Sequence, residues 1–324
     1  MRATAMLDVF SRAAACTVLL AVPAVAAEGT WGTRAALPAA HSEFAIAELD
    51  GAIYVIGGYA IGEIEGTSVH IYDAASDRWR RGPPLPAPAH HLMAASAGGK
   101  IYAMGGQGSG LFGGGFIDSV WALDPASGQW AARAPMPTAR SAGVAVALDG
   151  RIYVAGGRPP HGHDFAAYDP AADAWTVLPD MPRQRNHLAG AAIGGRIFIA
   201  GGRLGPGYRS EASAALEVFD PAAGTWSAAA PMPRPRSGVN GVAARGCFHV
   251  WGGEGGQGMF PDHTVYDPRT DHWIRLADMP VPVHGVTGAA FVDGLIHIPG
   301  GGQGVGGRNP GTLHQTYRPG MACE

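Results

Sequence analysis

The sequence predicts an all-β fold: six four-stranded units closed into a ring, a six-bladed β-propeller. Three recurring markers predict it. These are a Gly-Gly pair behind a short apolar strand, an apolar-Asp-Pro turn, and a Trp followed seven residues later by Pro. Repetition at a period near 50 residues, with turn signals inside each period, is the mark of stacked β units that cannot bury their apolar faces singly.

The Gly-Gly pairs begin at Gly57, Gly105, Gly156, Gly201, Gly252 and Gly300, and each follows an apolar run such as Ile53-Tyr54-Val55 or Ile197-Phe198-Ile199. The second marker reads Tyr72-Asp73, Leu123-Asp124-Pro125, Tyr168-Asp169-Pro170, Phe219-Asp220-Pro221 and Tyr266-Asp267-Pro268. Asp caps such a turn and Pro forbids further pairing. The sixth copy, Tyr317-Arg318-Pro319, lacks the Asp.

Trp79, Trp130, Trp175, Trp226 and Trp273 precede Pro86, Pro137, Pro182, Pro233 and Pro280, so Trp is expected to start an outer strand that Pro stops. No Trp follows Tyr317; the missing copy is Trp31-Pro38 at the other end of the chain. A ring left open would expose unpaired strand edges. Residues 29–38 are therefore expected to supply the outer strand of the last blade. Each unit then has strand a, strand b before Gly-Gly, strand c before Asp, and strand d from Trp.

The chain has 324 residues with formal net charge −3, 23 basic against 26 acidic, which offers no bulk attraction for nucleic acid or an anionic membrane. Arg2 and Arg12, the run Ala13 to Val22, and Ala24-Val25-Ala26 read as a secretory signal over 1–26, ahead of a single propeller domain over 27–324. A periplasmic or secreted location, with no membrane attachment after cleavage, is expected. Such a compartment permits a disulfide between Cys247 and Cys323. The reading preferred here is a buried strand thiol at Cys247 and a frayed tail at Cys323.

Strand b ending in Gly-Gly, then Tyr-Asp-Pro, then Trp with its Pro, resembles the kelch repeat across residues 29–320. The resemblance implies the propeller fold, which serves enzymes and binding scaffolds alike. The d–a and b–c connections should surround one mouth of the central channel, and the longer b–c loops are the richer in polar residues.

The third residue after each strand-d Pro should open the innermost strand. These residues are His41, Ala89, Arg140, Arg185, Arg236 and Val283, followed by Ser42, His90, Ser141, Asn186, Ser237 and His284. Arg140, Arg185 and Arg236, flanked by His41, His90, Ser141, Asn186, Ser237 and His284, are the expected ligand site, because three converging guanidiniums would prefer an anion. Some substrate-adaptor kelch propellers look similar at these three positions. The other reading has the arginines bonding backbone carbonyls of neighbouring blades. The b–c loops add Tyr59, Glu63, Glu65, Arg158, Arg203, Tyr208, Arg209, Glu254, Gln257, Gln303 and Arg308. His161-Gly162-His163-Asp164 has the look of a metal-ligand group, but a surface loop is preferred, and no metal or cofactor is expected.

Two enzyme families share the expected fold. A galactose-oxidase-like copper site would need Tyr and His ligands and a Tyr–Cys crosslink, and no Tyr-His pair stands near Cys247. Periplasmic sialic-acid mutarotases (N-acetylneuraminate epimerases) are more similar. That resemblance implies a general base at Glu254, directly after Gly252-Gly253, on a carbohydrate. The family's Arg falls close to Phe260, which leaves Arg236 as a substitute. No nucleophile, base and acid array or phosphate loop is visible, so the preferred function is a binding or interaction module. Its partner is expected to be an acidic small molecule, sugar or acidic peptide at the channel mouth.

Overall fold

The computed structural model describes residues 29–61, 66–108 and 114–323; the expected signal and Glu63 and Glu65 lie outside them. Six antiparallel sheets, each a-b-c-d in order, stack around an axis. Blade 3 is representative, with strands Val144–Leu148, Arg151–Ala155, Phe165–Asp169 and Ala174–Val177. In blade 6 the fourth strand is Thr30–Arg34, which pairs with His314–Arg318 and sets Trp31 opposite Tyr317. The two ends of the chain thus complete one sheet. Val286–Thr287 also runs parallel to Phe44 and Ala45, joining blade 6 to blade 1.

The Trp repeat acts between blades. Every one of its indole N–H groups donates to a carbonyl of the preceding blade: Trp79 to Ala35, Trp130 to Pro83, Trp175 to Ala134, Trp226 to Pro179, Trp273 to Ala230, and Trp31 to Ala277, at 2.7–3.0 Å. Blade faces interleave beneath these bonds. Val144 and Tyr153 of blade 3, for example, share one buried cluster with Ile197 and Phe219 of blade 4. The Asp of each turn accepts from backbone N–H groups two or three residues on, as in Asp124 from Ala126 and Asp169 from Ala171.

Three sequence expectations need correction. Strand d ends well before its Pro: Arg78–Arg81 stops short of Pro86. The residue just before each Pro is instead a buried anchor, Leu37, Leu85, Met136, Met181, Met232 or Met279. Likewise, the innermost strands start after the His41, Ala89, Arg140, Arg185, Arg236 and Val283 positions, at Val144 in blade 3 and Asn240 in blade 5. Finally, Cys247 and Cys323 are disulfide-bonded. The tail is held because Cys323 N–H donates to Arg245 O and Arg245 Nη1 to Pro319 O, which brings the sulfurs together. Closing a separation of 76 residues restricts the unfolded chain. Cys323→Ser is expected to cost about 2–4 kcal/mol in chemical denaturation. Equal stability of oxidised and reduced wild type would contradict this.

Histidines pair inside two blades: His249 Nδ1 lies 3.1 Å from His263 Nε2, and His297 Nδ1 lies 3.0 Å from His314 Nε2. Burial pushes His249 and His297 down to about 4 and His314 to about 3. An unfolded His titrates near 6.5. The folded state therefore binds fewer protons below that pH, so stability is full above about 6.5 and lost as pH falls toward 4. The melting temperature should be flat from pH 8 to 7 and fall steeply between 6 and 4.5. A flat profile across that acid range would refute the pairing.

Candidate functional site

The site is built by two positions that every blade repeats. One is a three-residue step in the d–a connection; the other is the residue directly after Gly-Gly. The second glycine of each pair donates its N–H to the first carbonyl of the next blade's step, as Gly106 to Arg140 O (2.8 Å), Gly202 to Arg236 O (2.9 Å) and Gly301 to His41 O (3.0 Å). A Cβ on Gly105 would sit 2.6 Å from that Arg140 oxygen, and its φ is +57°, so only glycine fits.

Residues after Gly-Gly then pair with the second residue of their own blade's step: Tyr59 with Ser42, Gln107 with His90, Asn186 with Arg203, Ser237 with Glu254, and His284 with Gly302. The third residues of the steps are Glu43, His91, Ala142, His187, Gly238 and Gly285, all with left-handed φ between 54° and 76°. They bond in sequence around the axis: His91 N–H to Glu43 O, Ala142 to His91, His187 to Ala142, Gly238 to His187, and Glu43 to Gly285. This ring narrows the axis to a void of about 10 Å³, room for one water. Below it the channel opens to about 340 Å³ between small residues of the innermost strands.

Above the ring the side chains form one charged network. Arg203 Nη1 donates to Glu254 Oε1 (2.6 Å) and to Ser237 Oγ (3.1 Å), and Nη2 donates to His187 Nε2 (3.0 Å). His187 is thereby fixed as the Nδ1–H tautomer, which faces Asn186 Oδ1 at 2.6 Å. His284 Nε2 lies 3.1 Å from Glu254 Oε1 and 3.6 Å from Glu43 Oε1. His91 Nε2 lies 2.9 Å from Glu43 Oε2 and also receives Arg158 Nη2 at 3.0 Å. A neutral ring serves one of these partners at a time. His90 bridges His91 and the Tyr59 hydroxyl.

Among the described residues two carboxylates and two guanidiniums balance here, as burial of charge requires. Burial alone would raise Glu43, but His91, His284 and Arg158 outweigh it and hold the carboxyl well below its usual range. Burial pushes His91 down, and with help from Arg203 pushes His187 down further, so both rings are neutral at pH 7.

The mouth is asymmetric. On the side of blades 4 to 6 the loop Gly302–Pro310 folds inward: Gly306 N–H donates to Glu254 Oε2 (2.6 Å), Gly307 abuts the Glu43 carboxylate, and the Tyr208 ring lies against Gly306. On the side of blades 1 to 3, Tyr59, Gln107 and Arg158 remain partly exposed. Arg158 donates to Gln107 Oε1 (3.2 Å) and His91, both uncharged.

A family model described as the KLHDC2/KLHL20/DRC7 kelch-repeats domain matches residues 30–202, and a kelch-motif model matches 184–233. The chain belongs to the kelch-repeat family. Among curated kelch proteins, mouse Kelch-like protein 35 is 30% identical over 134 residues, 41% of this chain and 22% of that protein. Human Kelch-like protein 22 is 46% identical over 56 residues, 17% of this chain and 9% of that one. This chain thus matches under a quarter of these relatives' length. The solved structure titled "Structure of YjhT" superposes with TM-score 0.73 at 17% identity, covering 86% of this chain and 95% of that one, which shows a shared fold.

Within this kelch propeller the expected site residues separate. Arg140, Arg185 and Arg236 do not converge on the channel. Each is buried and turns into its own blade: Arg140 to Asp164 O (2.7 Å), Arg185 to Gly201 O (2.7 Å) and Glu217 Oε2 (2.5 Å), Arg236 to Gly252 O (2.8 Å) and Asp262 O (2.9 Å). The carbonyls are those of the same blade, not of a neighbour. Burial lowers Arg140 and Arg236 to about 10, still charged at neutral pH. His41 also turns inward, toward Ser68 Oγ (2.8 Å).

His90, Asn186, Ser237, His284 and Glu254 are in the network; Ser141 is buried near it, its hydroxyl without a hydrogen-bond partner among the described residues. The guanidinium beside Glu254 is Arg203, not Arg236. His161 and Thr138 share Asp164, and His163 Nδ1 faces Met181 O, so that loop satisfies itself. Sequence reasoning passed over Glu43, His91 and His187, although the next register of the same step holds all three.

Arg185→Ala leaves Glu217 buried and unpaired and should cost about 3–5 kcal/mol. Arg158→Ala, which removes two hydrogen bonds from a partly exposed guanidinium, should cost less, about 1–2 kcal/mol. Urea denaturation distinguishes them, and the reverse order would overturn this division of roles.

Proposed function

We propose that the protein is an exported binding module whose ligand enters the open half of the channel mouth and carries a carboxylate or similar anion. Arg158 carries this reading: among the described residues its guanidinium meets only neutral acceptors, and it is partly exposed. An anion there gains a charge-assisted bidentate partner with little desolvation. Tyr59 and Gln107 beside it supply hydroxyl and amide groups suited to an acidic sugar or an acidic peptide. The Cys247–Cys323 disulfide supports an oxidising location.

A second reading, a sialic-acid-mutarotase-like isomerase, draws on Glu254. Its carboxylate is buried beside His284 at 3.1 Å, an arrangement that can pass a proton. The Gly302–Pro310 loop would have to lift from Glu254 for a sugar to reach it.

Residues 27–324 should be screened by thermal shift against N-acetylneuraminate, glucuronate, neutral sugars and an oligoglutamate peptide. A ligand of the folded state at 100 times its Kd stabilises by about 2.7 kcal/mol. An acidic ligand should stabilise wild type and not Arg158→Ala. Equal response in that variant would remove the anion reading. Anomerisation lost in Glu254→Gln would establish the second one.

A further inference from the structure

The network above the ring contains a second kind of site. Glu43, His187 and His284 each offer one ligand atom, these atoms lie within 4.8 Å of one another, and all three residues are buried. They come from three blades, carried by the steps that build the ring. Zinc-like ions bind such oxygen and nitrogen donors at about 2.0–2.2 Å. Closing the three atoms onto an ion therefore takes a contraction of about an ångström at most.

His284 is the independent indication. It is fully buried, and among the described residues neither ring nitrogen makes a well-directed hydrogen bond, although Nε2 stands 3.1 Å from Glu254 Oε1. Gly238 packs against the Cγ end of the ring, and Nε2 at the other end lies near the two carboxylates. A buried ring that faces two carboxylates without a well-directed hydrogen bond to either leaves room for a bridging partner. His187 has the outer support typical of a metal ligand, with Nδ1–H held by Asn186 Oδ1 and Nε2 turned inward. Glu254 Oε1, beside His284, offers a fourth donor.

We propose that the channel mouth binds one divalent transition-metal ion through Glu43, His187 and His284, and that Arg203 holds the cation's place when the ion is absent. The guanidinium of Arg203 spans Glu254 Oε1 and His187 Nε2, two groups an ion would claim. Arg203 must swing away when metal binds, so it competes with the ion by charge as well as by position. Two nitrogens with one or two carboxylate oxygens suit zinc, manganese, iron or nickel rather than calcium. The inference does not depend on which organic ligand, if any, the open half takes.

The competition gives the test its sign. Chelator-treated chain is titrated with Zn²⁺, Mn²⁺ and Ni²⁺ chlorides by calorimetry, and zinc-soaked crystals are measured at the zinc absorption edge. One ion per chain should bind, with the anomalous peak between Glu43, His187 and His284. Asn186→Ala should weaken binding about 10–100-fold. His284→Asn should abolish it, His163→Ala should leave it unchanged, and Arg203→Met should tighten it about tenfold or more, since a like charge about 4 Å away is removed. The proposal fails if no ion binds, or if the peak lies at His161 and His163. Weaker binding in a folded Arg203→Met would also overturn it.

Discussion

Everything at the mouth depends on how closely neighbouring blades approach at the Gly-Gly turn. The second glycine's N–H reaches the carbonyl that opens the next blade's step, in all six blades, at 2.8–3.0 Å. No side chain fits between, as the contacts at Gly57, Gly105, Gly156 and Gly252 show, each with a neighbouring carbonyl 2.6 Å from where a Cβ would be. The turn also delivers the next residue of the chain to the axis. Tyr59, Gln107, Arg158, Arg203 and Glu254 stand where they do because two glycines precede each of them.

Because backbone joins the blades near the axis and tryptophan joins them at the rim, the axial side chains are spared a structural task. A ring needing only cohesion could line that space with small residues, as the lower channel largely does with alanine, glycine and valine beside Glu48 and Ser96. Buried carboxylates, guanidiniums and four imidazoles cost desolvation that packing does not require. Their near balance of charge keeps the cost bearable, and their asymmetry leaves one half of the mouth closed under Gly302–Pro310 and the other partly open.

The periodic markers made the scaffold legible. Trp31 without a neighbour and Tyr317 without a Trp reveal ring closure, because a β edge must be paired and only one partner was missing. The candidate site was legible in part. His284 and Glu254 were both singled out from sequence and stand in the network, yet Arg140, Arg185 and Arg236, one position earlier in their steps than His284 is in its own, turn the other way. The first residue of each step has its side chain toward the blade's own b–c loop, where carbonyls of Gly201 or Gly252 await a donor. Successive residues at a turn face different directions, and composition does not say which one faces the axis. The left-handed φ of the third residue, carried here by Glu43, His91 and His187, is equally silent in the sequence, since Asp or Asn would have signalled it better.

Sequence alone determined the number of blades and the place of the closing strand, because these follow from periodicity and from the need to pair every edge. Only the tertiary structure decided which charges meet. Arg203 and Glu254 are 51 residues apart in the chain, and Glu43 and His284 lie in its first and last blades. Their contact exists because the ring brings its ends together, and direction around a closed ring is a property of three dimensions. The same closure brought Cys323 to Cys247, a pairing set by where the tail lands rather than by any feature of either cysteine.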